Sequence, residues 1–124
     1  MGHELVQGNS LQAELEKAIQ QSNFGPVLDK LPQGLETSIA LNDGVRLSAG
    51  ETQKLGICRA LFIGKSCLVF DEPTANFDKE SEDHFFGQLD KMKANRIIIV
   101  VTHTTRRFDC FDKVISFENG RFRE

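Results

Sequence analysis

Two acidic residues close an uninterrupted apolar run: Cys67-Leu68-Val69-Phe70 leads straight into Asp71-Glu72-Pro73. A run without polar alternation reads as a strand buried on both faces of a parallel sheet. The carboxyl edge of such a sheet is where α/β proteins hold ligands. Successive side chains leave a strand on opposite sides, so adjacent carboxylates can take separate tasks. Asp71 suits Mg²⁺, directly or through a water, and Glu72 suits a general base that polarises an attacking water. The plainer reading is an acidic loop after a strand.

A second constellation is Leu47-Ser48-Ala49-Gly50-Glu51. Ser48 with Glu51 three residues on is a capping box, which explains the pair as a well-made helix start. The same geometry puts free N–H groups, a hydroxyl and a glycine at the positive end of a helix, which is an anion site. In Thr74-Ala75-Asn76-Phe77-Asp78, Asp78 is adequately explained as an N-cap. His103 follows a second apolar run, residues 97–101, and Thr102. If the two runs are neighbouring strands, the imidazole reaches the carboxylate edge and can donate to a phosphate. His3 and His84 have no such setting and read as surface residues.

Gly64-Lys65-Ser66 has the ending of a phosphate-binding loop, but Arg59 stands where that loop needs its first glycine. The order is also inverted, with a helical stretch before the triplet and a strand after it. It reads as a solvated turn.

The 124 residues, 40% hydrophobic with ten Phe, suffice for one domain with one core. A net charge of −3 with scattered Lys and Arg gives no support for a nucleic-acid surface. Three cysteines without CxxC spacing indicate reduced, buried thiols of a cytosolic compartment. The longest apolar run is too short to cross a bilayer, and residues 1–10 carry no signal core.

The elements that position these residues are legible in outline. Ser10 is the expected cap of a helix over residues 11–21, with Leu11, Leu15, Ala18 and Ile19 on one face. After Gly25-Pro26 a short apolar set (Val27, Leu28, Leu31) ends at Pro32, and a loop follows through Gly34, Asn42 and Gly44. From Leu47 the pattern is helix, strand, helix, strand, helix, strand, with strands expected at 67–70, 97–101 and 114–117. Asp78 begins a helix running to about Lys93 whose Phe85, Phe86, Leu89 and Met92 face inward. Asn119-Gly120 signals a small hairpin. The sum is an α/β layer with a helical appendage.

Taken in order, LSAGE, CLVFDEP, ANFD, VVTHTT and DKVISFENGRF resemble the second half of an ATP-binding cassette (ABC) nucleotide-binding domain. LSAGE resembles the signature motif, LVFDE the Walker B strand, ANFD the D-loop, and His103 the switch histidine. The stretch LPQGLETSIALNDGVRLSAGE is similar to the approach to the signature in exporter-type cassettes. Ala49 replaces the usual first glycine of the signature and Glu51 the usual glutamine, and the loop before Gly44 lacks the acidic and glycine pattern often seen in exporters.

The resemblance implies a partial P-loop NTPase fold: residues 1–46 as part of a helical subdomain and 47–124 as the signature helix and the C-terminal part of the α/β core. It implies ATP and Mg²⁺ as cofactors, with Ser48, Ala49, Gly50, Glu51 and Asp78 as nucleotide contacts. Asp71 would be the metal ligand, with Glu72 and His103 catalytic. It also implies a second cassette, identical or different, in a head-to-tail ATP sandwich, transmembrane domains of a transporter, and a place on the cytosolic face of the membrane. Family members carry a Walker A loop and a Q-loop upstream of the matched region. The expectation is therefore an ATPase in the complete protein and an inactive chain in isolation. The absent Walker A strand would leave a gap beside the strand at 97–101, with unpaired edges. Two alternatives stand beside the transporter reading. One is a DNA-repair or chromosome-maintenance ATPase, although residues 11–31 show no sustained heptads. The other is a non-catalytic module that dimerises with a partner cassette.

Overall fold

The computed structural model describes residues 2–39 and 44–124, with side chains from residue 10 onward. The expected loop position Asn42 and the side chain of His3 lie outside the described residues.

Helix α1 spans Gly2–Ser22, longer than the periodicity indicates, so Ser10 lies inside it rather than capping it. Leu11 is exposed and Leu15 half-buried, and the helix turns Ala18 and Ile19 into the core. It stops at Asn23, which takes φ +59° while the Phe24 N–H donates to the Ile19 carbonyl at 3.1 Å. That left-handed residue with a backward N–H bond is a common helix C-terminus. Pro26 then opens the short helix α2, Gly25–Asp29, where its missing N–H is no loss.

Helix α3 covers Ala49–Ile63 and α4 covers Lys79–Met92. Between them runs β1, Cys67–Asp71, which pairs in parallel with β2, Ile97–Val101, in the register Cys67↔Ile97 to Asp71↔Val101. The unit β1-α4-β2 buries Leu68 and Phe70 against Phe85, Phe86, Leu89 and Met92 of α4. Phe70, Phe85, Phe86 and Phe111 form a chain of edge-to-face contacts with centroids 5.4–6.1 Å apart, a geometry that suits the ring quadrupoles. Ala18, Phe24 and Val27 join Ile57, Cys58 and Leu61 of α3 in the same cluster, so the core is continuous from α1 to α4.

Gly64, with φ +72°, ends α3 as a left-handed cap whose N–H donates to the Ala60 carbonyl, and Lys65 and Ser66 are exposed. The Gly64-Lys65-Ser66 stretch is thus the turn that its spacing indicates.

Three expectations are corrected. The sheet is not buried on both faces: β1 alternates, with Leu68 and Phe70 inside and Val69 63% exposed, and β2 leaves Ile97 64% exposed. An apolar run registers hydrophobicity at every position, whereas here the described chain covers one face only. The third run does not join this sheet. The strand expected at 114–117 is instead β3, Ser116–Glu118, paired antiparallel with β4, Arg121–Arg123, across Asn119-Gly120. Both turn residues have positive φ, 51° and 75°, as a two-residue hairpin requires. Of the cysteines only Cys58 is buried, and burial pushes its thiol up; Cys67, at the start of β1, is exposed.

Candidate functional site

The carboxyl end of β1 is built by an unusual backbone turn. The Glu72 N–H still donates to the Val101 carbonyl at 2.7 Å, extending the pairing with β2 by one bond. Glu72 itself then takes φ +49°. The other non-glycine residues with positive φ among those described are Asn23, Asn95 and Asn119. Asparagine tolerates that region through local hydrogen bonds, whereas glutamate does not do so routinely. Such a conformation costs about 1–3 kcal/mol and persists where its surroundings over-determine it.

Those surroundings are identifiable. The Glu72 carbonyl accepts from the Ala75 N–H at 3.2 Å and from Gln53 Nε2 at 3.1 Å, while Gln53 Oε1 accepts from the Asn76 N–H at 3.1 Å. Pro73 and Thr74 are buried within this turn. One side-chain amide on α3 therefore ties down both ends of residues 72–76. Gly50, one turn earlier on α3, meets the same segment: a Cβ placed there would lie 2.7 Å from the Asn76 carbonyl oxygen.

The turn sends the Glu72 carboxylate across to the end of β2. Its Oε1 accepts the His103 N–H at 3.0 Å and stands 3.4 Å from His103 Nε2. The imidazole is otherwise fully exposed. The neighbour relation expected between the two strands thus brings His103 to Glu72. Asp71, on the last residue of β1, is exposed, and no group of three metal-ligating side chains exists among the described residues.

The start of α3 is a complete capping box. Glu51 N–H donates to Ser48 Oγ at 3.1 Å, and Ser48 N–H donates to Glu51 Oε1 at 2.9 Å. The Ser48 N–H, ahead of the Lys30 ammonium 3.6 Å from Oε2, holds the Glu51 carboxyl below its usual range. The N–H groups of Ala49 and Gly50, at the first two positions of the helix, have no intrahelical acceptor. Gly50 lines a cleft of about 370 Å³ that Ser48, Lys54, Phe77 and Asp78 also line, while Ala49 does not border it. Lys54 lies over the Phe77 ring at 5.7 Å. Asp78 caps α4 by accepting the Ser81 N–H at 2.8 Å, and that bond keeps its carboxyl below the ordinary value. A second cavity, about 260 Å³ between Leu89, Ile98 and Phe111, borders the amino end of β2, away from the carboxylates.

The structure therefore gathers the expected residues into two groups. Ser48, Gly50, Glu51 and Asp78 border the cleft, while Asp71, Glu72 and His103 stand at the sheet edge; Gln53 joins the two. Gln53 escapes a motif reading, and its one sequence signal is its place three residues after Gly50, on the same face of α3. His84 is also misread as a plain surface residue, since its Nε2 is 2.8 Å from the Gln20 carbonyl and links α4 to α1.

A βαβ unit whose strand ends in two carboxylates, preceded by a capped helix that packs on the following turn, places the chain among α/β proteins, which hold ligands at the carboxyl edge of the sheet. Comparison narrows the class. The ABC transporter family model matches residues 2–75. The ATP-dependent lipid A-core flippase of Pseudomonas aeruginosa is 35% identical over 111 residues, covering 90% of this chain and 18% of that protein. Its counterpart in Haemophilus influenzae is 38% identical over 97 residues, 78% of this chain and 16% of that protein. The solved structure of a bacterial Atm1-family ABC exporter with ATP bound superposes with a TM-score of 0.74 at 28% identity, over 90% of this chain and 19% of that one. The chain belongs to the ABC transporter family and is an exporter-like piece of its nucleotide-binding domain. It spans less than a fifth of the length of these relatives. Among the described residues, no helix is long and apolar enough to cross a membrane.

Proposed function

We propose that this chain contributes the signature, Walker B, D-loop and switch-histidine elements to an ATP-hydrolysing cassette that powers an exporter. The observation that carries the reading is the Glu72 carboxylate, turned out of β1 by a left-handed backbone and held at the His103 N–H. A carboxylate fixed at the carboxyl edge of a parallel sheet is placed to accept a proton from, and so orient, an attacking water. His103, exposed beside it, is placed to donate to a phosphate oxygen.

The residues present fit the groups that such a cassette binds. Ala49 and Gly50 offer free N–H groups at a helix start, and the Ser48 hydroxyl proton is available beside them, as an anion requires. Asp71 alone cannot cage a metal. A single exposed carboxylate is, however, what Mg²⁺ uses when nucleotide phosphates supply further ligands. ATP, when bound, supplies the phosphoryl group to be transferred, and Mg²⁺ neutralises its charge. Asp78 contributes indirectly, by fixing the start of α4 at the rim of the cleft.

In this reading residues 1–46 belong to the helical subdomain and 47–124 to the ATPase core. The partners are a second cassette, identical or different, that faces Ser48 and Gly50 across a nucleotide, and the membrane-spanning part of a transporter. The chain works at the cytosolic face of that membrane, and no nucleic acid takes part.

The 124 residues contain no glycine-rich loop ending in Gly-Lys-Ser at the required spacing, so the chain alone is expected to bind ATP weakly and release no phosphate above background. Mixed with a cassette polypeptide that carries such a loop, it is expected to raise phosphate release, and Glu72→Gln is expected to remove that increment. Turnover by the isolated chain that Glu72→Gln abolishes, or an increment indifferent to this substitution, would overturn the assignment.

A further inference from the structure

We infer that Gln53 is a positioning residue for Glu72, coupling the start of α3 to the reactive carboxylate; this rests on the proposed role of Glu72. Its amide is used at both ends, with Nε2 donating to the Glu72 carbonyl at 3.1 Å and Oε1 accepting from the Asn76 N–H at 3.1 Å. Glutamine suits this task because it carries one donor group and one acceptor on a planar amide, so a single side chain satisfies a carbonyl and an N–H four residues apart.

The consequence follows from the backbone at Glu72. A φ of +49° on a glutamate is unfavourable in isolation, and the turn relaxes unless something anchors it. The Ala75 N–H bond to the Glu72 carbonyl is internal to the turn and moves with it. The Gln53 bonds attach the turn to a different element. Gly50 completes the attachment by letting the Asn76 carbonyl sit where any Cβ would be. A displacement of the first turn of α3, where an anion would dock, is thereby transmitted to residues 72–76. From there it reaches the carboxylate at the His103 N–H. The coupling runs through two hydrogen bonds and one backbone contact.

Amide hydrogen exchange on the full 124-residue chain tests this without nucleotide. Gln53→Met keeps the length of the side chain and removes both bonds. It is expected to speed exchange at the Asn76 and His103 N–H groups by about fivefold to tenfold, the effect of losing a hydrogen bond of about 1 kcal/mol. Two reporters of the surrounding fold should stay as in the parent: the Ile97 N–H, bonded to the Ser66 carbonyl, and the Ser81 N–H, bonded to Asp78. Gln53→Glu retains an acceptor for the Asn76 N–H and loses the donor to Glu72. It should protect Asn76 while leaving His103 fast. Unchanged exchange at His103 in both variants, or equal acceleration at Ile97 and Ser81, would overturn the assignment. In the mixed hydrolysis assay Gln53→Met should lower kcat with little change in KM for ATP. A mixture that never hydrolyses ATP counts against the proposed function, whereas the exchange pattern judges the role of Gln53 independently.

Discussion

Gly50 shows how a single residue ties two motifs together. At the second position of α3 an alanine would ordinarily favour the helix, but its methyl would stand 2.7 Å from a backbone oxygen that cannot swing aside as a side-chain end can. Forced overpacking of this kind costs about 1–3 kcal/mol, which exceeds the propensity gained at the end of a helix. Gly50→Ala is therefore expected to lower the urea midpoint and to shift the amide resonances of Asn76 and Phe77. A variant at least as stable as the parent would show that the two segments separate freely. The signature reading of residues 47–51 identifies a glycine for close approach to a phosphate. It does not reveal that the same glycine is occupied from below by residue 76, because that contact joins positions 26 apart in sequence.

At the scale of elements, the two helices that border the site both start on ionised caps. Glu51 is lowered from its ordinary value of 4.5 by the Ser48 N–H, and Asp78 from 3.8 by the Ser81 N–H. A carboxylate whose pKa is depressed in the folded state stabilises above its unfolded value and loses that contribution as pH falls through the folded one. Unfolding free energy is thus expected to decline as pH falls below these ordinary values and through the lowered ones, and the double variant Glu51→Gln, Asp78→Asn should flatten that slope in acid-titration unfolding, since both replacements still cap. Within α4, Gly87 is exposed, and the space where a Cβ would stand is open. Gly87→Ala is expected to stabilise the chain by about 0.5–1 kcal/mol in chemical denaturation, through helix propensity and a less free unfolded chain. The apolar spacing of Phe85, Phe86, Leu89 and Met92 fixes the inward face of α4 from sequence, as does the Asp78 cap. The length of α1 is not legible in the same way, because Ser10 is a good cap by type and only packing tells whether it is used as one.

At the scale of the whole molecule, one face of the small parallel sheet is uncovered among the described residues. Val69, Ile97, Ile99 and Val101 are all 47% exposed or more, and covering what each still exposes would stabilise by about 1 kcal/mol. The outer edges of β1 and β2 pair with no further strand among the described residues, which invites association. The isolated chain is expected to self-associate with rising concentration in sedimentation velocity, and Val69→Thr with Ile99→Thr should reduce this. A strictly monomeric parent would contradict the expectation. What the sequence determines by itself is caps at Ser48 and Asp78, the turn at Gly64-Lys65-Ser66, the Asn119-Gly120 hairpin, and the order of motifs that identifies the family. The caps, the turn, the hairpin and each single motif rest on residues within a few positions of one another, and the order of the motifs is read directly along the chain. The tertiary structure alone decides which face of the 67–71 run is buried, that the third apolar run stays out of the parallel sheet, and that Gln53 holds the turn at Glu72. These outcomes depend on which distant segments come into contact, and spacing along the chain carries no record of that.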